Sequence, residues 1–329
     1  MLYVDNLNKI IFHRHELFNC DELVILSGYV GPSPVQELNK LPVDAKVIYG
    51  MYGCDGIGSK LHFALCDLNT RLQNVEIKYS TIPVHSKCYI WRKNKEIVHA
   101  LIGSANFSTN GLNTPFKEVL AETTADTFSP LNDYLSKIWD ESISCNELSL
   151  ETIKTKARTS NILNPEIHFD ENICKMILYD PRTGEVPTAS GLNWGHATNS
   201  HVSICDAYIP IRAEHIQYYP SFFPKKQEFP TIKDVGGRAS RHNDAIEMIW
   251  DDGYTMKGLL EGSVSKNGIV YPKQISSFPH KKELGEYIRK RMGLSPDALI
   301  TRQMLKAYGR DDIDVTLQGE GIYSFDFSV

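Results

Sequence analysis

Four polar side chains within IPVHSKCYIWRKNKEIVHALIGSANFS, Ile82–Ser108, stand at spacings that chemistry can use: His85 two residues before Lys87, and Ser104 two residues before Asn106. If VHSKCYIW is a strand, His85 and Lys87 share a face, because side chains alternate along a strand. RKNK at 92–95 then reads as a polar turn, and EIVHALIGSA as the returning strand whose end carries Ser104 and Asn106. Two i, i+2 polar pairs thus converge. A neutral imidazole nitrogen attacks phosphorus, while a lysine ammonium, an asparagine amide and a serine hydroxyl hold non-bridging oxygens whose charge builds in the transition state. Such a set needs no metal. A carboxylate that accepts the other imidazole N–H and fixes the tautomer is expected at Glu118 in FKEVLAETT, with Glu122 the alternative.

Other constellations take plainer readings. His13 and His15 in FHRHELF are two apart like metal ligands, but no nearby Cys or His completes a site. GMYGCDGIGS, residues 50–59, lacks the Gly-Lys-Ser/Thr of a P-loop and the spacing of a dinucleotide fingerprint, so its glycines read as tight turning, with Lys60 near enough for a phosphate contact. The seven cysteines are odd in number, far apart and without a C-x-x-C pair, which argues against a disulfide framework or a zinc ribbon and for a reducing cytosol. MLYVDNLNKIIFHRHELF has no cationic stretch leading into an apolar core, and no run approaches a membrane span, so export and membrane spanning are not expected.

These residues need elements to position them. With 329 residues, 42% hydrophobic and 23% charged, the chain is long enough for two domains with separate cores. DELVILSGYV, AKVIYGMY, VEIKYST, HSKCYIW, EIVHALIGSA and EVLAETT read as strands, and PSPVQELNKL and GSKLHFALCDLNTRLQ as helices between the first of them. That order implies an α/β layered domain with a mixed, partly parallel sheet over residues 1–150, closed by the amphipathic helix FSPLNDYLSKIWDESI. A polar, weakly periodic linker over 151–173 follows. From 174 to 329 the strand-like runs CKMILYD, AYIPI, AIEMIW, YTMKGLLEGS and GIYSFDFS dominate, with helices at KELGEYIRKRMG and TRQMLKAYG, a mainly β, barrel-like second domain. The net charge of −5 falls in the first part: 19 Lys+Arg balance 19 Asp+Glu from Cys174 onward, against 16 and 21 before it. The molecule is no polycation, so nucleic-acid binding would need a local basic face.

His85-x-Lys87 followed by Gly103-Ser104-x-Asn106 resembles the phospholipase D superfamily motif, and GSANFS is a close match to its second half. Lipid-cleaving members carry an Asp where this chain has Arg92, and their spacing to the Gly-Ser turn is shorter. The variant without that Asp resembles the nuclease branch. There one motif per chain implies a homodimer that assembles one active site, one histidine becoming phosphorylated and the other protonating the leaving oxygen. GLNWGHATNSHVSICDAYIPI, WDDGYTMKGLLEGS and YPKQISSF are similar to the B3-like domain of BfiI/NgoFVII-type restriction endonucleases, close to the NgoFVII/NgoAVII kind. The resemblance covers nearly the whole chain: an N-terminal phospholipase-D-like nuclease and dimerisation domain with a mixed sheet, a linker, and a C-terminal B3-like pseudobarrel.

What it implies is a type II endodeoxyribonuclease acting on double-stranded DNA in a bacterial cytoplasm. Its arms would enter the major groove at Asn193, Trp194, His196 and Asn199 and, on the second, Asp251, Asp252 and Lys257. Arg212, Lys273 and Gln274 would assist. Asn, His, Arg and Lys donate to base-edge acceptors, an aspartate accepts from a cytosine amine, and Lys273 suits a phosphate. Some members need a helicase-like ATPase partner, which would bring ATP and Mg²⁺ from outside, since no nucleotide-binding motif occurs here; no cofactor and no metal is expected for the chemistry of this chain. Two other readings stand beside this one: a DNA-binding module with a degenerate hydrolase half, kept open by Arg92, and a metal-dependent nuclease using Asp251, Asp252, Glu261 and Lys257. A lipid-cleaving enzyme is disfavoured by the single motif and by the lack of an amphipathic membrane-binding stretch.

Overall fold

The computed structural model describes residues 1–147, 150, 152, 172–198, 202–226 and 243–329. The expected linker at 151–173 lies almost wholly outside the described residues. The chain divides into two compact units, Met1–Ala157 with Gln318–Ile322, and Arg158–Leu317 with Tyr323–Val329.

The first unit is built on eight strands: β1 (Leu2–Tyr3), β2 (Glu22–Ser27), β3 (Asp44–Tyr49), β4 (Val75–Ser80), β5 (Lys87–Lys93), β6 (Glu96–Gly103), β7 (Leu120–Glu122) and β8 (Ser142–Ser144). Their spatial order is β1-β7-β6-β5-β2-β3-β4-β8. The helices are α1 (Leu7–His13), α2 (Pro32–Glu37), α3 (Tyr52–Asp55), α4 (Ser59–Arg71), α5 (Thr109–Asn113) and α6 (Phe128–Asp140). β2, β3 and β4 are parallel, and α2 and α4 lie in the crossovers, since parallel neighbours cannot be joined by a tight turn. The other pairs are antiparallel, which makes the sheet mixed. β2 is apolar without alternation because both its faces are covered. On α6, Phe128, Leu131, Leu135 and Ile138 recur at helical spacing and close one face over Val24, Leu26, Ile90 and Ala100.

The strand directions decide where a site can form. β5 runs against β2, β6 against β5 and β7 against β6. The end of β2, the start of β5, the end of β6 and the start of β7 therefore meet on one rim of the sheet. At the opposite rim β5 and β6 are joined through Asn94 and Lys95, both left-handed at φ 50° and 71°, as a tight hairpin whose twist matches its strands requires.

The second unit holds β9 (Cys174–Ile177), β10 (Ile209–Pro210), β11 (Asp244–Trp250), β12 (Thr255–Glu261), β13 (Val264–Lys266), β14 (Ile269–Tyr271), β15 (Gln274–Ser277), β16 (Asp312–Gly319) and β17 (Ile322–Asp326), with α7 (Ala213–Tyr218), α8 (Lys282–Arg291) and α9 (Arg302–Tyr308). Seven of these strands form one sheet in the order β10-β15-β12-β11-β17-β16-β9, and β13 and β14 make a separate hairpin. The sheet curls until residues beside both its outer strands line one cavity of about 370 Å³, and Arg212 Nη2 donates across to the Tyr179 carbonyl at 2.6 Å. The result is a nearly closed, barrel-like β domain around Trp250, Phe325, Phe327, Ile313 and Val315, all at most 1% exposed. β16 was not among the expected strands. In DIDVTLQG the apolar residues alternate with Asp312 and Asp314, and those charges are compatible with a strand because Arg310 reaches both, at 2.8 and 2.5 Å.

Candidate active site and nucleic-acid interface

On the rim of the first sheet, the residues expected to do chemistry come together around a glycine. A Cβ placed on Gly28, just past β2, would lie 3.3 Å from the His85 ring, 3.4 Å from Asn106 Oδ1 and 3.5 Å from Lys87 Nζ. β5 begins at Lys87, so His85 sits in the segment leading into the strand rather than within it. Its imidazole nitrogens still lie 3.0 and 3.2 Å from Lys87 Nζ, which also donates to the His85 carbonyl at 2.6 Å. Lys87 is 4% exposed, and burial pushes its ammonium pKa down while the charge of Glu118 pulls the other way.

The backbone around these groups is held from several sides. Asn106 Oδ1 accepts from Tyr29 N at 3.1 Å, which turns the amide NH₂ to the other side. Ser27 Oγ accepts from Phe107 N at 2.9 Å, and the buried Tyr89 hydroxyl donates to the Ala105 carbonyl at 2.8 Å, so the GSAN turn is tied to both β2 and β5. Tyr29 sets its ring edge-on to His85 at 6.1 Å and donates its hydroxyl to Asp55 at 2.6 Å; burial, then Asp55, pushes its pKa up to about 12. Two glycines of the 50–59 stretch do position the site. A Cβ on Gly50 would meet the Val84 carbonyl at 2.2 Å, and one on Gly53 the Thr81 carbonyl at 2.0 Å, so only glycine lets that loop pass against the segment that delivers His85. Gly28 and Tyr29 escaped the sequence reading. The signal was there, in the Gly that interrupts the strand pattern LVILSGYV.

Ser104 turns toward β7. Its hydroxyl accepts from Val119 N at 3.1 Å and bonds the Glu118 carboxyl, whose pKa burial raises against that bond. Glu118 is thus given to Ser104 and the field of Lys87, while among the described residues the imidazole is hydrogen-bonded by Lys87. Glu122 is committed elsewhere: it binds the Tyr3 hydroxyl at 2.6 Å, Arg14 and the N-terminal amine, and those bonds, Tyr3 first, bring its pKa down to about 2. Arg92 lies near the far end of β5, its Nε 2.6 Å from Glu22, so its departure from the lipid-cleaving pattern concerns the other rim.

The expected DNA-reading residues divide sharply. Asn193 is 0% exposed and spends its amide on Pro187 O, Ile300 O and Ile300 N at 2.8–3.0 Å, so it cannot reach a base. Asp251 likewise is no reader: Arg291 grips it with bonds of 3.1 and 2.8 Å, and Phe327 N adds a third at 2.9 Å. Gln274 donates to Glu261 at 2.7 Å, which also takes Lys281 at 2.8 Å, so the carboxylates offered for a metal-dependent site are separately neutralised by cations and amides. Arg212 serves the seam of the barrel. Asn199 lies outside the described residues. What remains on the surface is Trp194, half-buried with Lys281 Nζ 4.7 Å from its ring; His196; Asp252, 40% exposed on its side chain; Lys257, half-buried on β12; and Lys273, exposed. Tyr254, 43% exposed at the tip of the β11–β12 hairpin, and Phe278, 45% exposed ahead of His280 and Lys281, were missed because an aromatic beside a turn reads as core from sequence.

Residues 5–152 match the family model for the NgoFVII restriction endonuclease N-terminal PLD domain, and residues 165–318 that for the NgoFVII C-terminal B3-like DNA-binding domain. Among solved structures, NucT from Helicobacter pylori is 17% identical over 44% of this chain and 97% of its own, with a TM-score of 0.32. A phospholipase D family member, Nuc from Salmonella typhimurium, is 14% identical over 42% and 87%, with a TM-score of 0.31. The polyphosphate kinase from Porphyromonas gingivalis is 10% identical over 40% and 20%, with a TM-score of 0.26. No curated protein matches the chain. Among the described residues no helix is long and apolar enough to cross a membrane.

Proposed function

Because the chain belongs to the NgoFVII restriction endonuclease family and is an endodeoxyribonuclease with PLD-like and B3-like domains, we propose a type II, site-specific enzyme that cuts DNA through a covalent phosphohistidine. One His85 attacks the phosphodiester phosphorus, the P–N bond forms as the P–O bond to the leaving strand breaks, and His85 of a second copy gives its proton to the departing oxygen. Water then attacks the phosphohistidine with the roles reversed. Lys87 and the Asn106 NH₂ hold the equatorial oxygens, where a buried cation is worth most. Glu118 acts through Ser104 and Lys87, as a positioning residue. The observation that carries this reading is the convergence of His85, Lys87 and Asn106 to within 3.3–3.5 Å of the point where a Cβ on Gly28 would lie.

A homodimer completes the proposal. One motif supplies one histidine, and the mechanism uses two. A cross-strand row on the α6 side of the sheet runs from buried Leu26 and Cys88 to Ile102, Ala121 and Leu2, with Ile102 42% and Leu2 65% exposed, an apolar seat beside the rim that a second copy would cover. Double-stranded DNA is the substrate, read by the second unit. A helicase-like ATPase, where one is needed, brings its own ATP and Mg²⁺.

Plasmid cleavage in excess EDTA tests the reading, with wild type and His85→Ala compared with and without a candidate ATPase. Discrete fragments from wild type, a loss of roughly 10³-fold or more in His85→Ala, and unchanged specific binding are expected. Cleavage that needs Mg²⁺ in the absence of any ATPase would sink the phosphohistidine step.

A further inference from the structure

Away from the rim, α4 and the β4–β8 edge bring a second set of reactive groups together. Cys66 Sγ lies 3.6 Å from both ring nitrogens of His62, one helical turn earlier on α4, and His62 Nδ1 lies 3.2 Å from the Tyr79 hydroxyl on β4. Cys66 Sγ donates at 3.0 Å to the carbonyl of Cys145, which follows β8, and the Cys145 thiol donates to Asn146 Oδ1 at 3.6 Å. Both are free thiols; Cys145 is buried and Cys66 half-exposed. Nothing in the nuclease chemistry uses them.

The surroundings separate the two sulfurs. Interaction with the Cys145 thiol, then with His62 and Tyr79, favours negative charge on Cys66 and outweighs burial, so its pKa lies well below that of an ordinary thiol. The same contact, together with burial, raises Cys145. Cys54 makes the contrast: it is exposed, yet its hydrogen bond to Asp55 and that residue's charge push its pKa up.

We infer that Cys66 is a hydroperoxide-reactive thiol and that Cys145 resolves it to an intrachain disulfide. The Cys66 thiolate attacks one oxygen of hydrogen peroxide; an S–O bond forms, the O–O bond breaks, and hydroxide leaves as water with the proton that Cys66 gave up. The Cys145 sulfur then attacks the Cys66 sulfur, the S–O bond breaks, and hydroxide departs as a second water with the Cys145 proton. Two thiols lose two electrons in total, and one peroxide becomes two waters. The bond would fasten α4 to the chain where it leaves β8.

Limited alkylation of the full chain by iodoacetamide at pH 6, read cysteine by cysteine by peptide mass spectrometry, tests the first half. Half-exposed Cys66 should label ahead of exposed Cys54 by about 10-fold, and His62→Gln should shrink that ratio while leaving the Cys54 rate alone. Cys54 labelling first would overturn the inference. With peroxide, non-reducing maps should give a Cys66–Cys145 cross-link that thiols reverse, and Cys145→Ser should leave a dimedone-trappable sulfenic acid on Cys66. A Cys66 that stays reduced while Cys54 oxidises would overturn it equally.

Discussion

Two ionic groups in this molecule, one buried and one partly so, are built in opposite ways. Lys87 sits at the rim of the first sheet with its hydrogen bonds given to an imidazole ring and a carbonyl. Asp251, at the head of the β11–β12 turn, is gripped twice by Arg291 and once by Phe327 N. A cation with no carboxylate hydrogen-bonded to it keeps most of its attraction for a phosphate, whereas a carboxylate locked to a guanidinium has spent its own on the fold. The difference separates a group available to a substrate from one that fastens a turn.

The largest effect that would break this contrast comes from a single methyl. Gly28→Ala puts a carbon in ordinary contact with Asn106 and Lys87 and 3.3 Å from the His85 ring, which must give by a few tenths of an ångström, at the point where the three groups converge. Cleavage should fall by roughly 10²-fold with DNA affinity and circular dichroism unchanged; an active Gly28→Ala would mean that the reacting atoms sit elsewhere. Asp251→Asn comes next and should act on stability instead, costing roughly 3 kcal/mol in urea unfolding with little change in affinity per folded molecule. Burial pushes the Asp251 pKa up, but Arg291 and the Phe327 N–H hold it below its ordinary 3.8. That contribution is therefore present above the unfolded value and lost as pH falls through the folded one, so the gap between wild type and Asp251→Asn should close in acid. A specificity change without a stability loss would return Asp251 to the DNA surface. The smallest effect is expected from Trp194→Ala: about 10-fold weaker specific binding in gel shift, with unspecific cleavage untouched. An unchanged affinity would assign Trp194 and Lys281 to packing alone.

The nuclease rim was legible in the sequence because its geometry is local. His85-x-Lys87 and Ser104-x-Asn106 flank the paired ends of one hairpin, β5 and β6, which brings His85, Lys87 and Asn106 together, although His85 precedes its strand and Ser104 turns toward β7. The second unit was less so. Asn193 and Asp251 look like readers in a string of polar residues, and only Ile300 and Arg291, 107 and 40 positions further on in the chain, reveal that they fasten the fold. Glu118 was expected to hold the imidazole, whereas its carboxyl bonds Ser104, a contact that depends on how β7 pairs with β6 and that spacing alone does not give.

The left-handed hairpin at Asn94 and Lys95 has a practical side. Seven residues of β5, at ~3.3 Å each, put it ~20 Å from the start of the strand, and both of its residues are exposed. A dye or a surface tether attached there would ride on the rigid sheet while leaving the opposite rim open to a long duplex. Successive strand cuts by one molecule could then be watched in real time.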